Sequence, residues 1–123
     1  MAKIVIIGAG SLVFSSRLTA DILSFDQTCD SEFVLVDIDE ERLAFASRII
    51  ERIFEEGGYD RASYTATNDR RKALPGADYV ISSLLVGGYE AIEKEIDIPR
   101  KYGVDQCIGD TLNPGGVLRC LRT

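Results

Sequence analysis

The sequence predicts an α/β fold: a doubly wound parallel sheet, incomplete at about four strands in the order 3-2-1-4, with helices in the crossovers. Three observations carry this. Short apolar runs rich in β-branched residues recur at 3–8 (KIVIIG), 33–38 (FVLVDI) and 79–85 (YVISSLL), and such runs suit strands buried on both faces. Stretches with helical apolar spacing separate them. Strand–helix alternation favours parallel pairing with right-handed crossovers. With 123 residues, 46% of them hydrophobic and 28% charged, the chain has a globular composition and room for one modest core.

Each element follows in order. After the first strand, residues 12–25 carry Leu12, Val13, Leu18, Ile22 and Phe25 at roughly helical spacing. The second strand leads into DEERLAFASRIIERIFEEG, where Leu43, Ala46, Ile50, Ile53 and Phe54 fall on one stripe. Asp39 is its expected N-cap and Gly57-Gly58 its expected stop. Residues 62–67 (ASYTAT) form a short third strand, and 73–78 (ALPGAD) a turn before the fourth. Gly87-Gly88 makes a turn, a helical stretch occupies 89–102, and GGVLRCLRT opens another helix. No internal domain boundary is visible over 1–123. A doubly wound domain ordinarily continues into a second half, so the sequence is expected to be the amino-terminal part of a longer domain.

Composition excludes some classes. Fourteen basic against twenty acidic residues give a net charge of −6, which disfavours a nucleic-acid partner. It does not disfavour a dinucleotide, since backbone N–H groups bind phosphate without basic side chains. Three cysteines (Cys29, Cys107, Cys120) form no CxxC pair and read as reduced thiols. There is no histidine, so the commonest general base and metal ligand are missing. The apolar start is too short for a membrane span and lacks a signal-peptide pattern. A cytoplasmic protein without a membrane partner is expected.

The chemistry-bearing residues gather at the ends of strands. In IVIIGAGSLVF, Gly8 ends a strand in a turn that needs unusual backbone angles. Gly10, lacking a Cβ, lets a phosphate approach the main chain. A helix starting near Ser11 or Leu12 would aim its free amides at that phosphate. This is a dinucleotide fingerprint with Val13 in the third glycine position. Asp37, at the end of the second strand, is placed to accept both ribose hydroxyls of adenosine and to repel a 2′-phosphate, favouring NAD over NADP. It lies 27 residues after Gly10, where about 20 is usual. Its other reading is a capping or solvated acid. Ser82 and Ser83 end the fourth strand, facing a cofactor or merely tolerated there. GDTLNPGG (109–116) must be a structured loop, with Asp110 and Thr111 its polar candidates. Arg119 and Arg122 put two cations on one helix face, toward an anion or toward solvent.

KYGVDQCIGDTLNPGGVLRCLRT resembles the segment that ends the first third of glycoside hydrolase family 4, the NAD-dependent glycosidases. Ile98, Pro99, Lys101, Tyr102 and Gly103 match its I-P-x-K-Y-G run. VGGYEAIEKE (86–95) is similar to its V-G-G segment, and residues 4–14 to its nucleotide loop, where the third glycine is also commonly absent. Residues 98–123 are the most specific part. Asp110-Thr111 is similar to the α-galactosidase, α-glucosidase and α-glucuronidase-like branches, more than to the phospho-β-glucosidases. Asn113 departs from the family's usual glycine.

The resemblance implies a Rossmann-type NAD-binding part of an NAD- and manganese (Mn2+)-dependent glycosidase. Gly8, Gly10, Ser11, Leu12, Asp37, Ser82 and Ser83 would touch the cofactor, with Asp110 and Thr111 near substrate. Such enzymes do not use the paired carboxylates of ordinary glycosidases. The family oxidises C3 of the sugar with NAD⁺, removes the C2 proton, eliminates the aglycone, adds water and reduces the ketone again, with the metal as Lewis acid. The family's catalytic and metal-binding residues lie past residue 123, so these residues alone are expected to bind NAD without cleaving a glycoside. Cys107 and Cys120 are expected to be packing residues, and a homo-oligomer is expected. Rival readings are a dehydrogenase of the malate or lactate type, which residues 98–123 do not resemble, and a non-catalytic nucleotide-binding module.

Overall fold

The computed structural model describes residues 1–106 and 113–123. They form two compact units, Met1–Ser83 and Leu84–Thr123. The first holds β1 (Lys3–Ile7), α1 (Leu12–Leu23), β2 (Glu32–Val36), α2 (Glu40–Gly57), β3 (Ser63–Thr67), α3 (Arg70–Ala73) and β4 (Tyr79–Ser82). The second holds α4 (Gly88–Arg100) and α5 (Pro114–Arg122).

The strands of the first unit pair in the order β3-β2-β1-β4, all in parallel, as the sequence predicts. Side-chain alternation divides the core between two faces. Ile4 and Ile6 of β1 with Phe33 and Leu35 of β2 join Leu23, Leu43 and Ile50 on one face. Val5, Val34 and Val36 meet Ala73 and Ala77 on the other. Two successive crossovers run the same way across the sheet, so α1 and α2 share a face. The path from β3 back past β1 to β4 runs the opposite way, and crossovers of one hand then place α3 on the opposite face. The direction reverses at β1, which makes the carboxyl ends of β1 and β4 the switch point where such sheets bind ligands.

The α2 stripe packs as expected, with Leu43, Ala46 and Ile50 buried. The Asp39 side chain accepts the Arg42 amide, and Gly58 ends the helix in the left-handed region. Phe54 sits edge-on to both Phe33 and Tyr64, at 6.2 and 5.7 Å between ring centroids.

Three features depart from the sequence reading. The buried face of α1 is Ser15, Thr19 and Leu23, an i, i+4, i+8 row, whereas Val13 and Phe25 are exposed. Two of the three buried residues are small and polar, so an apolar spacing does not reveal the face. The α3 turn is too short for periodicity to reveal; its signal is Asp69, whose side chain accepts the Arg71 amide. β4 stops at Ser82 and is not buried on both faces: Tyr79 is 61% exposed. The cluster on the α3 side covers Val5, Val34 and Val36 without reaching Val80, so a run whose composition suits burial on both faces is left open at the sheet edge the predicted order assigns to it.

Phe33→Ala, which empties a fully buried site, should cost about 3–5 kcal/mol in urea unfolding. Phe25→Ala, at an exposed position, should stay within about 0.5 kcal/mol of the parent.

Candidate cofactor-binding site

The turn after β1 is strapped to the end of β2. Gly8 has φ 87°, a conformation that favours glycine. The amides of Gly8 and Ala9 both donate to the Val36 carbonyl, at 2.8 and 3.0 Å. The Ser11 amide donates back to the Gly8 carbonyl at 3.0 Å, and the Ser15 amide to the Ser11 carbonyl at 3.0 Å. Ser15 Oγ donates to the Ala9 carbonyl at 2.7 Å from the buried side. Along the start of α1 the amides of Leu12, Val13 and Phe14 meet no acceptor among the described residues. These three are the donors available to an anion, and they carry the positive end of the helix dipole.

Gly10 serves a purpose beyond the one the sequence suggests. A Cβ there would lie 2.7 Å from Asp37 Oδ2 and 2.8 Å from Arg42 Cβ. Its missing side chain therefore admits the Asp37 carboxylate to the turn. The Gly10 amide donates to Asp37 Oδ2 at 2.7 Å, and the Asp39 amide to Oδ1 at 3.0 Å. Each carboxylate oxygen thus takes one backbone donor and keeps lone-pair capacity for another. The helix-capping role belongs to Asp39. Val13, in the third glycine position, is 63% exposed, so no close helix–strand contact is needed there.

Ser82 pairs with Ile7 in the ladder, and the Ser83 amide donates to the Ile7 carbonyl at 2.8 Å. Ser82 is exposed and Ser83 half-buried. Gly8, Gly10, Ser11, Leu12, Asp37, Ser82 and Ser83 accordingly share the carboxyl edge of the sheet. Asp110, Thr111 and Cys107 lie outside the described residues. Cys29 and Cys120 are free thiols, and Cys120 is exposed rather than packed. Among the described residues no three His, Cys, Asp or Glu side chains gather to hold a metal ion.

The second unit contains a charged cluster that sequence reading missed. Glu95 lies on the buried face of α4 with Ala91 and Pro99 and is 1% exposed. Arg119 donates to its Oε2 through Nε and Nη2, at 3.0 and 2.8 Å, and Arg122 ion-pairs with Oε1. Hydrogen bonding from Arg119 leads the forces that hold the Glu95 carboxyl below its ordinary value, with burial opposing and Arg122 assisting. Arg122 Nε also donates to the Val86 carbonyl at 2.8 Å. The two arginines therefore face an acid, and the clue was an acid on the apolar stripe of α4. Gln106 Nε2 donates to the Glu95 carbonyl at 3.2 Å, and a side chain on Gly115 would strike both Gln106 and that carbonyl. Asn113 caps α5, its side chain accepting the Gly116 amide at 2.7 Å, so asparagine in place of the usual glycine gives the helix a start.

Comparison with known proteins decides the family. The profile described as "Family 4 glycosyl hydrolase" matches residues 3–123. The chain belongs to that family. An alpha-galactosidase of Rhizobium meliloti (strain 1021) is 53% identical over 116 residues, covering 94% of this chain and 24% of the relative. An alpha-galacturonidase of Bacillus subtilis (strain 168) is 38% identical, over 98% of this chain and 26% of the relative. The family 4 chain thus spans about a quarter of the length of these relatives. Among solved structures it resembles a 6-phospho-beta-glucosidase from Thermotoga maritima determined with manganese, NAD+ and glucose-6-phosphate, at TM-score 0.79, 29% identity, 99% of this chain and 28% of that one. A lactate dehydrogenase of Trichomonas vaginalis is 21% identical at TM-score 0.53, over 84% of this chain and 33% of that one; that likeness is one of fold alone.

The Glu95 cluster gives a signed pH prediction. A lowered carboxyl value means its stabilisation stands in full above the ordinary 4.5 and drains away as pH falls through the group's own lower value. Glu95→Gln should therefore lose stability at neutral pH and flatten the acid limb of the stability curve. The neutral-pH loss should be on the order of 1–3 kcal/mol by denaturant unfolding, because the partly exposed arginines rehydrate.

Proposed function

We propose that residues 1–123 are the NAD-binding part of an NAD- and manganese-dependent glycosidase, forming one functional domain with sequence beyond it in a longer protein. The observation that carries the reading is the Asp37 carboxylate, fixed by the Gly10 amide at 2.7 Å beside the three open amides of α1. NAD⁺ fits these residues. The amides of Leu12, Val13 and Phe14 would take the pyrophosphate. Gly8 and Ser11 shape the turn that aims those amides. The free lone pairs of Asp37 would accept the adenosine ribose hydroxyls. Ser82 and Ser83, one at each side of the β1–β4 ladder's end, would border the rest of the dinucleotide. When bound, NAD⁺ supplies a hydride acceptor; the described residues position it and contribute no base.

The relatives' activities support the reading, and the 53% identity to an alpha-galactosidase favours an α-galactoside-type substrate. The structure determined with manganese and NAD+ favours both cofactors for the whole enzyme, with manganese held by residues outside this chain. Asp110 and Thr111 are proposed to approach substrate. No described helix is long and apolar enough to cross a membrane. The whole enzyme is proposed to be a cytoplasmic homo-oligomer acting on a small glycoside. A malate- or lactate-type dehydrogenase is disfavoured because the likeness there is one of fold alone.

Isothermal titration tests the reading. NAD⁺ should bind, and Gly10→Ala, which drives a methyl group against Asp37 and Arg42, should weaken it by at least about tenfold. An unchanged affinity in Gly10→Ala, or no binding by the parent, would count against it.

A further inference from the structure

The sheet of the first unit ends on one side at β3, which pairs with β2 and has no described strand beyond it. The strand at the other end, β4, is the side on which a doubly wound sheet continues, so β3 is the edge that a longer domain of this kind keeps. One contact fixes which of its groups face outward. The Ser63 amide donates to the Ser31 carbonyl at 3.2 Å, and hydrogen-bonding groups alternate sides along a strand. Ser63, Thr65 and Thr67 therefore face β2, while Tyr64 and Ala66 turn their amides and carbonyls to the open side. Natural edges are commonly guarded by a lysine, a proline or a bulge. Ser63–Thr67 (SYTAT) carries neither charge nor proline, and its tyrosine and threonines are good strand formers. The charges lie just outside it, in opposite sense. Asp60 stands three residues before Ser63 and Arg70 three after Thr67. Both are exposed, and neither has an ion-pair partner among the described residues.

We propose that the β3 edge is the docking surface for a second copy of this chain, joined antiparallel across a two-fold axis at Thr65. This names an interface for the homo-oligomer proposed above; it rests on that reading and is independent of NAD⁺ binding. In this register Tyr64 of one copy lies opposite Ala66 of the other, and the axis generates the pair twice. Both are outward-facing residues, so each pair exchanges two backbone hydrogen bonds. A slip of one residue sets outward groups against inward ones. A slip of two moves pairing off β3 onto Asn68 or onto Ala62, whose amide is already given to the Tyr59 carbonyl at 3.0 Å. The same axis brings Asp60 of each copy toward Arg70 of the other, and Arg61 toward Asp69. Unlike charges therefore meet at both ends of the paired strands. The edge is self-complementary in hydrogen bonding and in charge, which makes a second copy its partner.

Sedimentation of the chain over a range of concentrations tests this. The parent should dimerise. Ala66→Pro removes an outward amide and spares the ladder to β2, so it should keep its circular dichroism and weaken dimerisation at least about tenfold. Asp60→Arg and Arg70→Asp should each weaken it about threefold or more, and the two together should return it to within about twofold of the parent. The axis sets Thr65 against its own mate in a pair with Cα atoms about 4.5 Å apart, so Thr65→Cys should cross-link on oxidation above the background of the parent's own thiols. Ser63→Cys, more than about 12 Å from its mate, should not. The charge reversals and the cysteines leave the β3 backbone untouched and decide the matter if Ala66→Pro does not fold. A dimer indifferent to the charge reversals, or a Thr65→Cys that cross-links no faster than Ser63→Cys, overturns the inference and leaves the homo-oligomer reading standing. A parent that stays monomeric up to about 1 mM overturns both.

Discussion

The hydrogen bond from the Gly10 amide to the Asp37 carboxylate, 2.7 Å long across 27 residues of sequence, ties the turn after β1 to the end of β2. Much else at this edge of the sheet depends on it. It requires residue 10 to be glycine, because any side chain there would meet the carboxylate and Arg42 Cβ. It fixes the direction of the carboxylate before any ligand arrives, so the entropic cost of ordering an acceptor is met in folding. The paired bonds from Gly8 and Ala9 to the Val36 carbonyl hold the same two segments from the backbone side. Together they set where α1 begins, and hence where its unpaired amides point.

The sheet order explains why these segments meet. β1 and β2 are neighbours, so their carboxyl ends emerge side by side. β4 lies on the other flank of β1, which brings Ser82 and Ser83 to the same edge. The topology is thus a device for assembling three distant stretches of sequence. The chemistry belongs to the residues at their ends and not to the sheet itself.

Much of this was legible in the sequence because the relevant signals are local. The apolar runs of β1 and β2 mark strands buried on two faces, and both faces are indeed covered over Val5, Val34 and Val36 and over Ile4, Phe33 and Leu35. The acid at Asp39 and the glycines at 57 and 58 mark the ends of α2. Less local features escaped. The buried face of α1 includes Ser15 and Thr19 beside Leu23, and their polarity hides it from an apolar count. β4 has the composition of a strand buried on both faces, but burial depends on neighbours that composition does not name. Glu95 is one of several acids on α4, and only Arg119 and Arg122 from the following helix account for a buried carboxylate. The partial glycine fingerprint marks a turn, but one reason for Gly10 lies 27 residues away and has no local signal.

The most direct test is an amide NMR titration of the protein with NAD⁺. The Leu12, Val13 and Phe14 amide resonances should shift together and saturably as the pyrophosphate engages them. The Gly10 amide should stay protected from exchange, its bond to Asp37 intact in free and bound protein. Unmoved resonances for Leu12–Phe14 with NAD⁺ demonstrably bound, or a Gly10 amide that exchanges freely, would contradict the account.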